Sequence, residues 1–302
     1  MSILVVGSVA LDTVKTPFGQ AEETLGGSAT YFSAAASFFT DVRMVAVVGE
    51  DFPEHHLGFL RSRNVDLRGL QRVPGQTFRW IGEYGYDLNE ARTLDTRLNV
   101  FANFAPKIPE EYRDSEVVFL ANIDPDLQRD VLGQVRRPAY VAADTMNYWI
   151  TGKPESLRQT LRLVDTLLIN DAEVRQLAGE PNLVQAARKI LTWGPQSLVI
   201  KRGEYGALML NKGEWFAAPA LPLEGVRDPT GAGDSFAGGF MGYLANTMNF
   251  TDASVRKAMV MGSVMASLNV EAFSLDRLRT ATYGEIESRY RTFMRLARFE
   301  DL

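Results

Sequence analysis

The stretch 228–236 combines glycines with one carboxylate, the residue types that can bind an anion next to a reacting group. Gly231 and Gly233 have no Cβ, so their backbone amides can approach a ligand closely. The apolar segment 237–244 has the period of a buried helix, and a helix that starts here points its unpaired N–H groups at the same place. Asp234 lies at the rim, where a carboxylate would repel a phosphate unless it accepts a proton from the attacking group. The stretch therefore predicts phosphoryl transfer.

The predicted helix also bears on the protonation of Asp234. The positive end of a helix dipole favours an anion, so we expect Asp234 to be ionised and weakly basic. A weak base is sufficient, because phosphoryl transfer passes through a loose transition state and the proton leaves late.

The composition fits a globular protein with a single α/β domain. The chain has 302 residues, of which 46% are hydrophobic, enough for one large core or two modest ones. It contains no cysteine, which excludes disulfides and thiolate metal sites and favours the reducing cytoplasm. No stretch approaches the length of a membrane span, and the formal charge of −5 disfavours a nucleic-acid partner. We therefore predict a cytoplasmic protein with neither a membrane nor a nucleic acid as its partner.

Three other kinds of site are excluded by residue type and spacing. The two histidines, His55 and His56, are adjacent and cannot form a metal-binding pair at i, i+4 spacing, so we interpret them as the solvated start of a helix. The first apolar run ends at Gly7, but Val9 and Asp12 stand where a dinucleotide fingerprint requires glycines. The chain also lacks a Gly-x-x-x-x-Gly-Lys P-loop.

Short apolar runs that are typical of strands buried on both faces recur along the chain, at 3–7, 44–49, 116–123, 139–145, 166–170 and 197–201. Helical patterns such as 182–192 separate them. This alternation predicts a three-layer α/β/α fold with a mainly parallel sheet. The segments 206–211 and 214–220 predict a hairpin.

Polar residues lie where several of these strands end. Asp12 comes just past the first strand, and Asn122 and Asp144 lie near the ends of later ones. Ligands of open α/β sheets bind at the carboxyl ends of the strands, so these side chains are expected to face the site. From position alone, Asp12 could equally cap its own turn.

The segment 73–105 departs from the buried-strand pattern. Aromatic residues fall on alternate positions, at Phe78, Trp80, Tyr84 and Tyr86, and several residues between them are charged. This is the period of a strand with one buried and one solvent-exposed face. Such alternation is typical of an antiparallel sheet with one open side. We predict that 13–25 and 73–105 form a small antiparallel β lid on a single domain spanning 1–302. The alternative is that these aromatics pack on the main domain.

The motif Asp228-Pro229-Thr230-Gly231-Ala232-Gly233-Asp234 resembles the signature of the ribokinase-like (PfkB) family of carbohydrate and nucleoside kinases. Three further segments resemble the family's di-glycine sugar motif, its Asn-x-x-Glu element and its nucleotide loop, in the family's order: Gly26-Gly27-Ser28, Asn170-Asp171-Ala172-Glu173 and 201–206. Together the four motifs span nearly the whole chain. The resemblance implies a ribokinase-like fold and ATP-dependent phosphorylation of a hydroxyl group of a sugar or sugar derivative.

The resemblance also implies a role for each matching residue. Catalysis is assigned to Asp234 as the base, with an anion hole formed by the amides of Gly231, Ala232 and Gly233. The acceptor contacts are Asp12, Gly26, Gly27 and Asn122. The ATP contacts are Asn170, Glu173, Lys201, Gly203 and Thr230. Mg²⁺ is expected through water near Asn170 and Glu173, Asp228 is the candidate ligand of a monovalent cation such as K⁺, and the lid implies a homodimer.

The sequence departs from the family pattern at two places. Tyr31 stands where many members carry asparagine, and Phe273 and Ser274 stand where many carry a glycine beside the cation. The first departure leaves a nucleoside kinase open as an alternative, since a base could bind among aromatic side chains. A sugar-binding regulator without catalysis is a third possibility, although Asp234 and the glycines are intact.

Overall fold

A computed structural model describes residues 2–298 and 300 of the chain. Its strands are β1 (Ser2–Val6), β2 (Ala10–Thr16), β3 (Gly19–Gly26), β4 (Asp41–Gly49), β5 (Val65–Val73), β6 (Phe78–Tyr84), β7 (Ala91–Arg97), β8 (Val117–Leu120), β9 (Tyr140–Asp144), β10 (Thr166–Asn170), β11 (Ser197–Lys201), β12 (Ala207–Asn211) and β13 (Glu214–Ala218). Its α-helices are α1 (Ser28–Ala36), α2 (Glu54–Ser62), α3 (Pro125–Gln134), α4 (Asn147–Gly152), α5 (Pro154–Leu161), α6 (Asp171–Ala178), α7 (Leu183–Leu191), α8 (Ala232–Thr247), α9 (Asp252–Asn269), α10 (Asp276–Thr280) and α11 (Tyr283–Leu296). Short 3₁₀ helices lie at Asn99–Asn103, Glu110–Tyr112 and Gly203–Tyr205.

Nine strands form the main sheet, in the order β13-β12-β11-β10-β9-β8-β1-β4-β5. All neighbours pair in parallel except β12, which is antiparallel to both β11 and β13. Parallel strands need long returns, which the helices supply, whereas β12 and β13 are joined by a tight turn. Lys212 and Gly213 in that turn both have positive φ, as a two-residue type I′ hairpin requires. The predicted hairpin is therefore confirmed.

Successive residues of β1 belong to opposite halves of the core. Ile3 and Val5 pack in one apolar cluster with α1, α8 and α9, whereas Leu4 and Val6 pack in a second cluster with α3, α5, α6 and α7. Side chains alternate across a strand, so a continuous apolar run indicates burial on both faces. The predicted three-layer fold with a mainly parallel sheet is confirmed.

A second sheet of four strands has the order β3-β2-β6-β7. It was predicted to be antiparallel, but only the β2–β3 and β6–β7 pairs are, and β2 pairs with β6 in parallel. The reason is topological, because β2 and β6 follow parallel strands of the main sheet and leave it in the same direction. The sheet also begins earlier than predicted, at Ala10, and residue 73 ends β5 in the main sheet.

Small residues let α8 approach its neighbours closely. The helix is buried along most of its length between α1 and α9. A Cβ at Gly238 would collide with the backbone carbonyl of Phe32 in α1, and one at Gly239 would lie 2.7 Å from the carbonyl of Met261 in α9. This packing holds the first turn of α8 in place. Neither α9 nor another helix in the described ranges is long and apolar enough to cross a membrane.

One histidine interpretation is wrong. His56 was expected to be solvated, but it is buried and its ring contacts that of Phe52. Burial, together with the charges of His55 and Arg279, lowers the pKa of His56 to about 4. It is therefore a neutral packing residue at physiological pH.

Candidate active site

The glycine-rich loop ends at Gly231, the N-cap residue of α8. Helix geometry leaves the first N–H groups of α8 without partners inside the helix. The three amides assigned to the anion hole are not equivalent, because the N–H of Ala232 donates to the carbonyl of Pro229 at 3.1 Å. The amides of Gly231 and Gly233 are thus better placed to bind a ligand anion than that of Ala232.

Only glycine fits at position 231. Its φ is +72°, and a Cβ would collide with the ring of Tyr31. Tyr31 comes from α1 and is 1% exposed, and its hydroxyl group has no hydrogen-bond partner among the described residues. Burial and the charges of Asp12 and Asp228 raise the pKa of Tyr31, so the phenol keeps its proton and can donate it. In the sequence, Tyr31 stood out only as a departure from the family pattern that leaves a nucleoside acceptor open.

Asp234 lies in the first turn of α8, and its protonation differs from the prediction. The pKa of Asp234 is raised to about 7, mainly by burial. The charges of Asp144 and Glu173 raise it further, and the charge of Lys201 opposes them. The expectation of an ionised, weakly basic carboxylate is wrong. Removal from water and the neighbouring carboxylates outweigh the helix dipole, whose influence is small by comparison.

Asp12 lies within β2, not in a turn after β1, and is 4% exposed. The di-glycine motif makes room for it: a Cβ at Gly26 would collide with the Asp12 carboxylate, and Gly27 donates a backbone hydrogen bond to it. Burial, followed by the charge of Asp228 and with a further contribution from Asp234, raises the pKa of Asp12 to about 8. The fold therefore brings the buried carboxylate of the predicted acceptor ligand within range of the charge of the predicted base, which is itself partly buried.

Lys201 ends β11 and extends to the anion loop. Its Nζ lies 3.1 Å from Oδ2 of Asp144, the last residue of β9. A Cβ built on Gly233 would lie 3.0 Å from the same Nζ. Burial alone would lower the pKa of Lys201, but Asp144, Glu173 and Asp234 keep it above its ordinary value. The lysine is a largely buried cation next to the loop assigned to the anion hole. Its partner Asp144 was expected to face the site but was given no role.

Asn170 and Glu173 form a capping box at the start of α6. The Asn170 Oδ1 accepts from the backbone N–H of Glu173 at 2.8 Å, and the Glu173 Oε2 accepts from that of Asn170 at 3.1 Å. Burial and the charge of Asp144 raise the pKa of Glu173 to about 7. These bonds hold the Glu173 carboxylate in place while its second oxygen makes no hydrogen bond to the described residues.

These residues fit Mg²⁺ bound through water. Mg²⁺ is usually held by one or two carboxylates together with waters and substrate phosphates, not by a cage of protein ligands. No group of three acidic or histidine side chains that could hold a metal occurs among the described residues. Glu173, with a free oxygen and a pKa that a nearby cation would lower, matches this arrangement better than Asn170, whose carbonyl oxygen caps α6.

Asp228 is buried at the other side of the loop. Its Oδ1 accepts from the backbone N–H of Thr230 at 2.9 Å and its Oδ2 from that of Ser274 at 3.2 Å. Two backbone donors therefore hold the carboxylate that the resemblance assigns to a monovalent cation, and burial raises its pKa. The cation role stays a prediction.

The four-stranded sheet contacts the site at two points. The hydroxyl of Thr230 lies 3.3 Å from that of Tyr84, the last residue of β6. Gly203 has a φ of +53°, and a Cβ there would collide with the carboxamide of Asn89 in the β6–β7 connection. The sheet thus reaches both the anion loop and the predicted nucleotide loop. Period-2 alternation had singled out Tyr84, but not this contact.

Asn122 follows β8 at the same edge of the main sheet. Its Oδ1 accepts from the indole Nε1 of Trp149, and its Nδ2 lies 3.0 Å from the sulfur of Met146. A thioether is a weak acceptor, so a ligand carbonyl could readily replace it. Its hydrogen bonds in this structure connect it to α4 and not to Asp12 or Asp234.

Taken together, these residues can bind an anion and accept a proton beside it. The anion would meet the amides at the start of α8 and the ammonium group of Lys201. A hydroxyl group held by Asp12 would lie within the carboxylate cluster that includes Asp234.

The chain is similar to known proteins along most of its length. Residues 2–279 match the family model described as pfkB family carbohydrate kinase. A cytidine kinase of Thermococcus kodakarensis is 32% identical over 246 residues, which cover 80% of this chain and 87% of that protein.

Solved structures share the fold over almost the whole chain. A putative ribokinase II from E. coli, in complex with ATP and Mg²⁺, is 18% identical with a TM-score of 0.78 and covers 96% of this chain and 99% of its own. A Burkholderia thailandensis nucleoside kinase, in complex with inosine, is 20% identical with a TM-score of 0.74 and covers 96% and 98%.

Proposed function

Because the chain belongs to the pfkB family of carbohydrate kinases, we propose that it transfers the γ-phosphoryl group of ATP to a hydroxyl group of a sugar or sugar derivative. Family membership makes the protein a kinase of sugars or nucleosides. The observation that supports this proposal most strongly is that the buried Asp12 lies within range of the charge of Asp234, while Lys201 lies beside the anion loop.

The proposed reaction is a single displacement. The acceptor oxygen forms a bond to the γ-phosphorus while the bond from that phosphorus to the bridging oxygen of ADP breaks, and the hydroxyl proton passes to Asp234. A base with a pKa of about 7 is well matched to accept this proton near neutral pH. The products are the phosphorylated acceptor and ADP.

The charge that develops on the transferred group would be stabilised by fixed donors. We assign this role to the amides of Gly231 and Gly233, with a smaller share for Ala232, and to Lys201. Losing one such donor typically costs about 3 kcal/mol of transition-state stabilisation. Mg²⁺, when bound, neutralises phosphate charge, and Glu173, positioned by Asn170, would hold it through water.

We also propose that the four-stranded sheet is a lid over the acceptor. Asp12 lies in β2 of this sheet, and the contacts of Tyr84 with Thr230 and of Asn89 with Gly203 join its outer part to the loops that hold phosphate and nucleotide. Closure of the sheet would exclude water from the transferred group, which favours transfer to the acceptor over hydrolysis.

A nucleoside is the second candidate acceptor. The relative that is 32% identical over most of its length is a cytidine kinase. A regulator without catalysis is less well supported, since the glycines and Asp234 are all in place.

The test is ADP release measured with ATP, Mg²⁺ and a panel of sugars, sugar acids, sugar phosphates and nucleosides. We expect acceptor-dependent turnover by the wild type and a kcat lower by about a hundredfold or more in Asp234→Asn, with little change in ATP affinity. Near-normal turnover by a folded Asp234→Asn protein would remove Asp234 as the base. An absence of turnover across the whole panel would contradict the proposed function.

A further inference from the structure

We propose that the indole of Trp80 is a stacking shelf for the base of a nucleoside acceptor, beside the carboxylate that binds the acceptor's sugar. The inference rests on the proposed kinase function and narrows its acceptor class, which that function leaves open between free sugars and nucleosides.

Trp80 lies on the face of the lid that is turned toward the active site. β2 and β6 pair in parallel with Asp12 opposite Trp80, and residues opposite each other project from the same face of a sheet. Asp12 interacts with the charges of Asp228 and Asp234, and Tyr84, four residues further along β6, contacts the anion loop. These contacts identify the inward face, and Trp80 shares it.

The indole lies flat along its own strand. A Cβ at Gly82 would collide with the Cη2 and Cζ2 atoms of Trp80, so the ring covers the backbone that Gly82 leaves bare. The indole Nε1 donates to Oγ1 of Thr93 in β7 at 3.2 Å, which fixes the rotation of the ring in its plane. The indole therefore packs against its own strand on the inward side of the sheet.

The indole is not fully covered by the protein. Trp80 is partly exposed although its side of the sheet faces inward, whereas Ala10, Asp12 and Val14 on the same side of β2 are buried. Neighbouring strands lie about 4.8 Å apart. A sugar whose hydroxyl group binds Asp12 would therefore bring a substituent on the same ring within reach of the indole.

The charges around the shelf favour a neutral, flat substituent. A sugar acid or sugar phosphate would need a cation here, but the adjacent Arg79 projects from the other face and is paired with Glu23 and Asp51. Every base has a π face that can stack on an indole, so an aromatic shelf tolerates purines and pyrimidines alike. A nucleoside satisfies both requirements, with its ribose at Asp12 and its base on Trp80.

The experiment compares KM for a pyrimidine nucleoside, a purine nucleoside and ribose, by ADP release, in the wild type and four lid variants. Trp80→Leu removes the aromatic face, and Trp80→Phe keeps a smaller one. Gly82→Ala displaces the indole without changing a residue assigned to the site. Gly85→Ala is the matched control, because a Cβ there would meet only Oδ1 of Asp87, at 3.9 Å.

We expect the ratio of nucleoside KM to ribose KM to rise about tenfold in Trp80→Leu and in Gly82→Ala, and less in Trp80→Phe. Gly85→Ala should match the wild type. Circular dichroism melts identify a variant that fails to fold, and if Gly82→Ala does so, the leucine and phenylalanine variants decide the outcome.

Other outcomes separate the shelf from the kinase function. Equal changes of KM for nucleosides and ribose would overturn the shelf, as would a wild type that phosphorylates sugars but neither binds nor phosphorylates nucleosides. If the wild type phosphorylates nothing, the proposed function fails, and calorimetric titration of nucleoside into wild type and Trp80→Leu still tests the shelf directly.

Discussion

Asp12 and Asp234 are 222 positions apart in the sequence, yet the charge of Asp234 acts on Asp12 in the folded chain. Burial is the largest cause of the raised pKa of each, about 8 for Asp12 and about 7 for Asp234. Two carboxylates in one poorly hydrated cluster cannot both ionise cheaply, so ligands that donate hydrogen bonds or bring positive charge should bind there favourably.

Replacing Asp12 tests which ligand it serves. Asp12 should bind the acceptor through charge-assisted hydrogen bonds, so Asp12→Ala should raise the acceptor KM and lower kcat while ATP binding is retained. The measurements are steady-state kinetics with a varied acceptor and calorimetric titration of ATP. Equal loss of both ligands would instead identify Asp12 as a structural residue of β2.

At the scale of single elements, α6 links stability to the proposed nucleotide site. Its capping box consists of the same two residues, Asn170 and Glu173, that were assigned to ATP and Mg²⁺. A cap satisfies backbone donors that the helix leaves unpaired, and here it also fixes the carboxylate that the proposed metal site requires. The helix and the site therefore depend on the same hydrogen bonds.

The asparagine cap of α7 offers a matched comparison. Asn182 accepts from the backbone N–H groups of Val184 and Gln185, and its helix contributes no assigned site residue. Asn170→Ala and Asn182→Ala should each cost about 1 kcal/mol of unfolding free energy. Only Asn170→Ala should also raise the KM for Mg-ATP, because it releases Glu173.

Urea denaturation and steady-state kinetics on both variants check this expectation. An unchanged KM for Mg-ATP in Asn170→Ala, together with the expected loss of stability, would show that the capping box is structural only. A raised KM in Asn182→Ala would show that loss of stability alone disturbs the site.

For the whole molecule, the acids with raised pKa values predict how stability depends on pH. A carboxyl group whose pKa is higher in the folded chain holds its proton more tightly when folded, so its stabilising contribution is present at low pH and is lost as pH rises through the folded pKa. Asp12, Glu173 and Asp234 have raised pKa values of about 8, 7 and 7. His56 acts in the opposite sense, but its pKa is lowered to about 4, so it is largely neutral in both states above its ordinary value.

We therefore expect the Tm of the ligand-free protein to fall between about pH 6.5 and pH 8.5. Differential scanning calorimetry across this range measures the effect. Asp12→Asn should show a smaller fall, because it removes one titrating group. A Tm that rises over the same range in the wild type would contradict the raised pKa values.

Homodimerisation through the lid is a separate prediction about the whole molecule, and sedimentation velocity would test it.

The sequence by itself determined the layers, the order of the motifs and the residues of the anion loop. These features are local: a continuous apolar run such as 166–170 indicates a buried strand, and β10 has those bounds. The loop 228–234 and the helix after it also depend on neighbouring residues only. For that reason they could be recognised without knowing what they pack against.

Tertiary structure alone decided the properties that depend on residues distant in sequence. The pKa of Asp234 is set by burial and by Asp144 and Lys201, which reach it from other strands, so the helix dipole was a poor guide. The register of β2 against β6 sets Asp12 opposite Trp80, so both side chains project from the same face of the sheet. The alternating aromatics did not reveal that register. Burial and strand register arise from packing across the whole chain, and local sequence patterns do not contain that information.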